Sequence, residues 1–142
     1  GEVFLRFNAC GAVIAAAING SAMGGGYELA LACDLRFMAA GRHAIGQPEL
    51  LLGFPPGGGG TQRLARMLGA GGALRLCLDG GPLRPEEAAE LGIVDEVVAA
   101  ERLVERAEAA MAAYVERTET TGDLPLYDDE ARSEALERGR FD

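Results

Sequence analysis

The hydrophobic pattern divides the first third of the chain into strand, turn, helix and strand. The continuous apolar run 12–18 predicts a strand buried on both faces, and Asn19 with Gly20 predicts the turn that ends it. After three glycines, the Ala- and Leu-rich run 27–33 has high helix propensity, and the alternating run 34–38 predicts a second strand. This order favours a right-handed crossover onto a parallel sheet.

Glycine and proline dominate residues 41–60, which predicts a long loop with one short strand near Ala44. A helix capped at Gly60 or Thr61 should follow, because apolar residues then recur at helical spacing. Gly69 is expected to end this helix.

The second half of the chain alternates between helical and extended patterns. We expect a helix over 73–78, a short helix from Pro85 to Gly92, a strand over 93–98 and an amphipathic helix over 100–117. By composition, 118–128 is a linker and 129–140 is the beginning of another helix. The predicted division is therefore a core portion, 1–117, and a terminal portion, 118–142, that holds the linker and the start of an oligomerisation helix.

Composition and charge narrow the class of protein. At 142 residues, with 49% hydrophobic and 25% charged residues, the chain has the composition of one soluble globular domain. The net charge of -9 disfavours nucleic acid as a partner. Because no apolar run approaches the ~20 residues of a membrane span, we expect no membrane partner and a cytoplasmic or matrix-type compartment.

The cysteines and the histidine exclude two families of catalytic site. Cys10, Cys33 and Cys77 are far apart in sequence, so buried reduced thiols are expected. His43 is the only histidine, so neither a zinc cluster nor a Ser-His-Asp triad can be assembled from this chain. We therefore expect no bound metal.

The glycine clusters do not fit a nucleotide-binding loop, because none has the spacing G-x-G-x-x-G and none is followed by G-K-[ST]. The triplet at 24–26 nevertheless stands where a helix begins, and unpaired N–H groups at such a position favour an oxyanion. A tight turn that needs small residues is the alternative explanation.

Two glutamates are candidates for acid and base chemistry. Glu28 lies one helical turn after Gly25, near the same helix end, although an acidic residue there often only stabilises the helix dipole. Glu49 follows Pro48 and precedes three leucines, and a carboxylate among apolar residues can serve as a general acid or base. A solvated loop glutamate is the alternative for Glu49.

Several ordered runs together resemble the enoyl-CoA hydratase/isomerase (crotonase) family. The run 13–34 (VIAAAINGSAMGGGYELALACD) resembles the family signature, and 45–53, 56–64 and 85–98 resemble later family segments in the same order. The resemblance covers roughly residues 12–105. It implies an α/β fold of the crotonase spiral type, here its later ββα repeats with an incomplete C-terminal helical region.

Carried over by position, the resemblance implies hydration of a trans-2-enoyl-CoA to a 3-hydroxyacyl-CoA in fatty acid metabolism. Gly25 would donate one oxyanion-hole N–H to the thioester carbonyl. Glu28 would deprotonate the water at the β-carbon, and Glu49 would protonate the α-carbon. These two roles could be shared or exchanged, because two nearby carboxylates titrate as a coupled pair. The implied substrate-binding residues are Ala22, Met23, Gly24, Gly26, Pro48 and Leu52.

The resemblance also implies partners and assembly. The substrate would be an acyl-CoA thioester, with coenzyme A as part of the substrate and no separate cofactor. Family members form trimers or dimers of trimers, so a homo-oligomer is expected. Arg63 and Arg66, one helical turn apart, are candidates for phosphate contact, with an exposed or structural role as the alternative.

The first eleven residues match nothing in the family segment that supplies the second oxyanion donor. We therefore expect that donor to be absent from this chain, and the chain alone to be an incomplete enzyme that exposes apolar surface. Two other functions stay open. One is enoyl-CoA isomerisation or another acyl-CoA reaction at the same oxyanion hole, and the other is a non-catalytic acyl-CoA-binding or assembly module.

Overall fold

The computed structural model describes residues 2–9 and 11–121 of the chain. These residues form helices and short parallel strands, in agreement with the predicted α/β class. In chain order the elements are α1 (Glu2–Ala9), β1 (Ala15–Ile18), β2 (Ala22–Met23), α2 (Gly25–Ala32), β3 (Leu35–Ala39), β4 (Ile45–Gly46), a 3-10 turn (Glu49–Leu52), α3 (Gly60–Asp79), α4 (Pro85–Glu90), β5 (Glu96–Val98), a 3-10 turn (Ala100–Arg102) and α5 (Leu103–Thr121).

The strands form two small parallel sheets. The larger has the order β1-β3-β5, with Ala15 opposite Leu35 and Phe37 opposite Glu96, and the smaller pairs β2 with β4. The parallel pairing predicted for the strands on either side of α2 is confirmed, because β1 and β3 run in the same direction. The crossover through α2 carries the chain from the end of β1 back to the start of β3.

Burial in the larger sheet differs from the sequence prediction. β1 is an edge strand that begins at Ala15, and Ala17 is exposed, so the prediction of a strand buried on both faces over 12–18 is wrong. β3, which was predicted as a strand from its alternating pattern, is central and buried at all five positions. Helix α5 covers the face of β3 that carries Phe37, and a second apolar cluster covers the face that carries Met38.

Arg36 shows how a charged residue is accommodated inside β3. Its side chain donates to the carbonyl oxygens of Ile93 at 2.8 Å and Cys33 at 2.5 Å, and its own N–H is bound by the Asp95 carboxylate at 2.7 Å. A buried cation is tolerated when its donors are paired. Arg36 thus ties the end of α2 to the approach to β5.

Helix α3 contains a break at the predicted position. Gly69, with φ 73° and ψ 166°, is non-helical and divides α3 into two segments, as expected from a helix that ends at Gly69 and a second one over 73–78. The capping residue is Gly59, with φ 95°, rather than the predicted Gly60 or Thr61. A left-handed residue immediately before the helix requires glycine, and this selects Gly59.

The C-terminal elements follow the predicted order. The strand predicted over 93–98 is confined to its last three residues, since 93–95 form a bend. Helix α5 continues to Thr121, so the first four residues of the predicted linker 118–128 are helical. The rest of that linker, and the helix predicted over 129–140, lie outside the described residues.

Candidate active site

The candidate site forms where the smaller sheet meets the N-terminus of α2. The N–H of Gly24 donates to the carbonyl oxygen of Gly46 at 2.9 Å, which extends the β2-β4 pairing by one step. Gly24 has φ 56° and ψ −124°, a conformation that L side chains rarely adopt, and it caps α2. The glycine triplet therefore both makes a turn and opens a helix.

The first free donors of α2 belong to Gly25 and Gly26. The first i to i−4 bond of the helix runs from the N–H of Glu28 to the carbonyl of Gly24 at 2.9 Å, so the N–H groups of Gly25 and Gly26 have no partner inside the helix. Both glycines are exposed, and a β-carbon on Gly25 would point into open space. An anionic oxygen at this helix end would meet unpaired donors and the positive end of the dipole.

Glu28 is buried, with 3% of its surface exposed, on the first turn of α2. Both of its carboxylate oxygens lie 2.8 Å from the N–H of Gly58, and Oε1 also accepts the N–H of Gly60 at 2.8 Å. A side chain that only stabilised the helix dipole would not need these two partners from a distant loop. Their hydrogen bonds fix the carboxylate in one orientation.

Glu49 is buried too, with 6% of its surface exposed, so the alternative of a solvated loop glutamate is wrong. It opens the 3-10 turn directly after Pro48. The Gln47 side chain donates from Nε2 to its Oε1 at 3.3 Å, whereas Oε2 has no hydrogen-bond partner within the described part of the chain. A β-carbon on Gly24 would lie 3.0 Å from Oε1, so this carboxylate rests against the cap of α2.

The structure thus brings Gly24, Glu28 and Glu49 together around one helix end. Glu28 belongs to that helix, Glu49 touches its cap, and Gly25 with Gly26 forms the exposed end. Both oxygens of Glu28 accept backbone N–H groups, whereas Oε2 of Glu49 is buried without a hydrogen-bond partner in the described residues. Such a pair can activate a water with one group and exchange a proton with the other.

The remaining predicted binding residues lie on the strands and loops around this end. Ala22 is half-buried, and the methyl carbon of Met23 would lie 3.1 Å from a β-carbon on Gly46. Pro48 passes close to Gly80, whereas Leu52 is 70% exposed at the far end of the 3-10 turn. Leu52 shares an element with Glu49 but lies on the surface.

Sequence reasoning missed three residues that hold the glutamates, namely Gln47, Gly58 and Gly60. Two signals were present. The run 57–60 (GGGG) directly before a helix offers unpaired N–H groups to a carboxylate. An amide two residues before Glu49 can reach it in a tight turn. Neither signal predicts which carboxylate the residue would bind.

Arg63 has a structural role in the described residues. Its guanidinium donates to the carbonyl of Gly58 at 2.9 Å and to that of Phe4 at 3.5 Å. It therefore joins α1 to the glycine loop that binds Glu28. Arg66, the other phosphate candidate, is exposed on α3.

Two further ionisable groups lie in the core beside the site. Burial raises the pKa of the Cys77 thiol, and the carboxylates of Glu49 and Glu28 raise it further. Burial also raises the pKa of Tyr27, whose hydroxyl is buried without a hydrogen-bond partner in the described residues. Cys33 and Cys77 are buried free thiols, as predicted, and Cys10 lies outside the described residues.

Residues 2–9 and 11–121 lack two features, namely clusters of metal-ligating side chains and long apolar helices. These residues contain no group of three or more His, Cys, Asp or Glu that could hold a metal ion. Among the helices described there, none is both long and apolar enough to cross a bilayer.

Comparison with known families gives one consistent result. The family model described as enoyl-CoA hydratase/isomerase matches residues 2–122, which extends the similarity on both sides of the predicted 12–105. The chain is 37% identical over 152 aligned residues to the fatty acid oxidation complex subunit alpha of Shewanella frigidimarina, which covers 96% of the chain and 21% of that protein. It is 45% identical over 113 residues to the same subunit of Shewanella amazonensis, over 78% of the chain and 16% of that protein.

Solved structures agree with the sequence relatives. An enoyl-CoA hydratase/isomerase from Cupriavidus metallidurans superimposes with a TM-score of 0.77 at 27% identity, over 97% of this chain and 56% of that one. An enoyl-CoA hydratase from Bacillus anthracis gives a TM-score of 0.67 at 35% identity, over 88% of this chain and 51% of that one. The predicted crotonase-like fold is confirmed. The chain spans about half of these solved proteins and about a fifth of the subunit alpha proteins.

Proposed function

Because the chain belongs to the enoyl-CoA hydratase/isomerase family, we propose that it carries the catalytic carboxylates of an enoyl-CoA hydratase. The substrate is a trans-2-enoyl-CoA of fatty acid oxidation, and the product is a 3-hydroxyacyl-CoA. The names of the subunit alpha relatives support the fatty acyl class of substrate. No cofactor is needed beyond the coenzyme A that the substrate contains.

One observation carries this proposal: Glu28 and Glu49 are both buried beside the same helix end, and they are held differently. Hydration needs two operations at adjacent carbons, the deprotonation of water and the delivery of a proton. Two carboxylates with different hydrogen-bond environments provide one group for each operation.

The steps balance as follows. Glu28 takes a proton from water while the water oxygen forms its bond to the β-carbon. The displaced π electrons move onto the thioester oxygen, where the N–H of Gly25 stabilises the developing charge by about 3 kcal/mol. Glu49, protonated when the enoyl-CoA is bound, then gives its proton to the α-carbon and the enolate collapses to the 3-hydroxyacyl thioester. The proton that Glu28 took passes back to Glu49 through solvent before the next turnover. In the reverse dehydration, each carboxylate performs the opposite transfer.

A second candidate function, double-bond isomerisation, is favoured by one feature of the site. Both oxygens of Glu28 accept the N–H groups of Gly58 and Gly60, whereas Oε2 of Glu49 is buried without a hydrogen-bond partner in the described residues. A 1,3-proton shift between the α- and γ-carbons needs only one carboxylate, and that carboxylate must be able to take up a proton. Glu49 alone would then be the catalytic base.

The deciding experiment supplies the complete protein with a trans-2-enoyl-CoA and, separately, with a 3-enoyl-CoA. Hydration is followed by loss of the conjugated thioester absorbance with formation of the 3-hydroxyacyl product. Isomerisation is measured by the appearance of the conjugated thioester absorbance when the 3-enoyl-CoA is the substrate. Isomerisation without hydration selects the second candidate, and calorimetric binding of acyl-CoA without either reaction selects a non-catalytic binding module.

We also propose that the protein works as a homo-oligomer, a trimer or a dimer of trimers. The support is that several large apolar side chains lie exposed on helical surfaces, among them Leu74 and Leu78 on α3 and Val104 on α5. Exposed apolar positions of this kind are commonly covered by a neighbouring subunit. A monomer in sedimentation equilibrium at working concentration would contradict this assembly.

A further inference from the structure

Gly60 is bound to one of the two glutamates through its backbone. As the first residue of α3, it directs its N–H away from the helix and donates to Oε1 of Glu28 at 2.8 Å. Gly58 supplies the companion bond from the same loop. This side of Gly60 therefore fixes the orientation of Glu28.

The other side of Gly60 rests on Gln47. A β-carbon added to Gly60 would overlap the side-chain amide of Gln47 at Oε1, with Nε2 at 2.8 Å and Cδ at 2.9 Å. Gly60 is helical and does not have a positive φ, so its backbone would accept any residue. A side chain at this position would therefore have to displace the buried amide of Gln47, although the conformation of the chain would accept it.

Gln47 in turn holds the second glutamate. Its side chain is 99% buried, since only 1% of the residue is exposed, and Nε2 donates to Oε1 of Glu49 at 3.3 Å. Only the nitrogen of an amide can donate to a carboxylate, which fixes the orientation of the amide. The same amide therefore lies against Gly60 on one side and is bound to Glu49 on the other.

We propose that Gly60 is a shared support for both catalytic carboxylates, and that Gln47 is the positioning residue through which Gly60 acts on Glu49. The chain of contacts runs from Glu28 to the Gly60 N–H, and from the Gly60 α-carbon through the Gln47 amide to Glu49. The inference rests on the proposed function for its kinetic consequences, although the contacts themselves do not depend on it. It makes the spacing of the two carboxylates depend on one residue that touches no substrate.

Gly60→Ala tests the link, because the methyl group keeps the N–H to Glu28 but displaces the amide of Gln47. In the complete protein we expect kcat for hydration to fall between about 10-fold and 100-fold, since a misplacement near 1 Å costs about that much. KM should stay nearly unchanged. Gln47→Ala, which removes the amide, should give a loss of the same size.

The double variant separates this route from two independent defects. If Gly60→Ala acts through Gln47, adding it to Gln47→Ala should lower kcat by no more than about twofold further. Losses that multiply in the double variant overturn the inference. Gly71→Ala is the matched control, because Gly71 is an exposed glycine of the same helix, outside the glycine run 57–60, with open space around its β-carbon position. It should leave kcat unchanged.

A readout without catalysis keeps the inference distinct from the proposed function. The side-chain amide protons of Gln47, identified by their disappearance in Gln47→Ala, should exchange slowly with solvent in the parent protein and faster in Gly60→Ala. An unchanged Gln47 amide in Gly60→Ala overturns the inference whatever the activity. The parent protein could neither hydrate nor isomerise an enoyl-CoA while the Gln47 amide still exchanges faster in Gly60→Ala. In that case the contact is supported and the proposed function is wrong. If Gly60→Ala fails to fold, full kcat in Gln47→Ala overturns the inference.

Discussion

The carboxylate of Glu49 lies against Gly24 so closely that a β-carbon on Gly24 would be 3.0 Å from Oε1 and 3.4 Å from Cδ. Gly24 is thus required twice, once for its φ of 56° and once for the space that Glu49 fills. The cap of α2 and the second glutamate are parts of one packing arrangement.

Gly24→Ala should therefore be damaging in two ways. A side chain at this φ and ψ costs about 1–3 kcal/mol of unfolding free energy, and the methyl group also pushes on Glu49. Urea unfolding measures the first effect, and enoyl-CoA turnover the second. Gly20→Ala serves as the control, because Gly20 has an ordinary φ and open space around it. Equal stability of the two variants would contradict the strain at Gly24.

Gly69→Ala isolates backbone strain from packing. Gly69 breaks α3 with φ 73° and ψ 166°, and a β-carbon there would meet nothing within 4 Å. We expect a loss of about 1–3 kcal/mol of unfolding free energy, from the conformation alone. Gly71→Ala, two residues later in a regular and open helical position, should instead be neutral or stabilising by up to about 1 kcal/mol. A stabilising Gly69→Ala would mean that the break straightens at little cost.

The sequence predicted elements better than it predicted contacts. Local propensity and glycine placement located α2, α4, the parallel pair β1 and β3, and the break at Gly69. These features depend on residues that are close in the chain. The exposure of Ala17 and the burial of the whole of β3 depend on which strand is central, and no local pattern contains that information.

The same limit applies to the candidate site. Glu28 and Glu49 were proposed from their neighbours and the family resemblance, and their burial is a finding of the structure. The contacts of Glu28 with Gly58 and Gly60 join residues 30 and 32 positions apart. A pairing over that distance is decided by how α2 and α3 pack, so the glycine-rich sequence predicted a loop but not the carboxylate that the loop binds.

Replacing either glutamate with glutamine removes acid and base capacity while preserving shape. Glu28→Gln retains an oxygen for the N–H groups of Gly58 and Gly60, and Glu49→Gln retains one for Gln47, so both should fold. We expect each to lower the hydration rate of the complete protein by at least about 100-fold with little change in acyl-CoA affinity. Glu108→Gln, on the exposed face of α5, should leave the rate unchanged.

Nearly full turnover in Glu49→Gln would remove that residue from the mechanism. If Glu49→Gln loses all activity and Glu28→Gln still isomerises the 3-enoyl-CoA, the result would favour isomerisation with Glu49 as the single catalytic base. Steady-state kinetics with both substrates, beside calorimetric titration with an acyl-CoA, distinguishes these outcomes.

The two buried thiols should respond differently to the charge of Glu49. Burial raises the pKa of Cys77, and the carboxylates of Glu49 and Glu28 raise it further. Burial also raises the pKa of Cys33, where Asp34 acts in the same direction and the nearby arginines, Arg36 and Arg63, act against it. A raised thiol pKa means less thiolate at a given pH, so both should alkylate slowly near neutral pH and faster as pH rises. Glu49→Gln removes one negative charge beside Cys77 and should raise its thiolate fraction.

The measurement is the alkylation rate of each cysteine by peptide mass spectrometry across an alkaline pH series. In Glu49→Gln the rate at Cys77 should increase relative to the rate at Cys33, which acts as an internal control for general opening of the fold. A proportional increase at both thiols would indicate loosened packing instead of a lost charge.

The last prediction concerns Gly25, the first residue of α2. Proline is well tolerated at the first position of a helix, so Gly25→Pro should fold while deleting the N–H that is proposed to stabilise the thioester oxyanion. Gly25→Ala keeps that N–H, and its methyl group points into the open space where the thioester would lie. We expect kcat for hydration to fall by about 100- to 1,000-fold in the proline variant, because that is the usual loss for one oxyanion donor. The alanine variant should lose less in kcat and more in acyl-CoA affinity, as expected for crowding. Circular dichroism melting of both variants verifies the fold before kinetics are compared, and equal kcat in the two folded variants would show that the glycine triplet serves only as a turn.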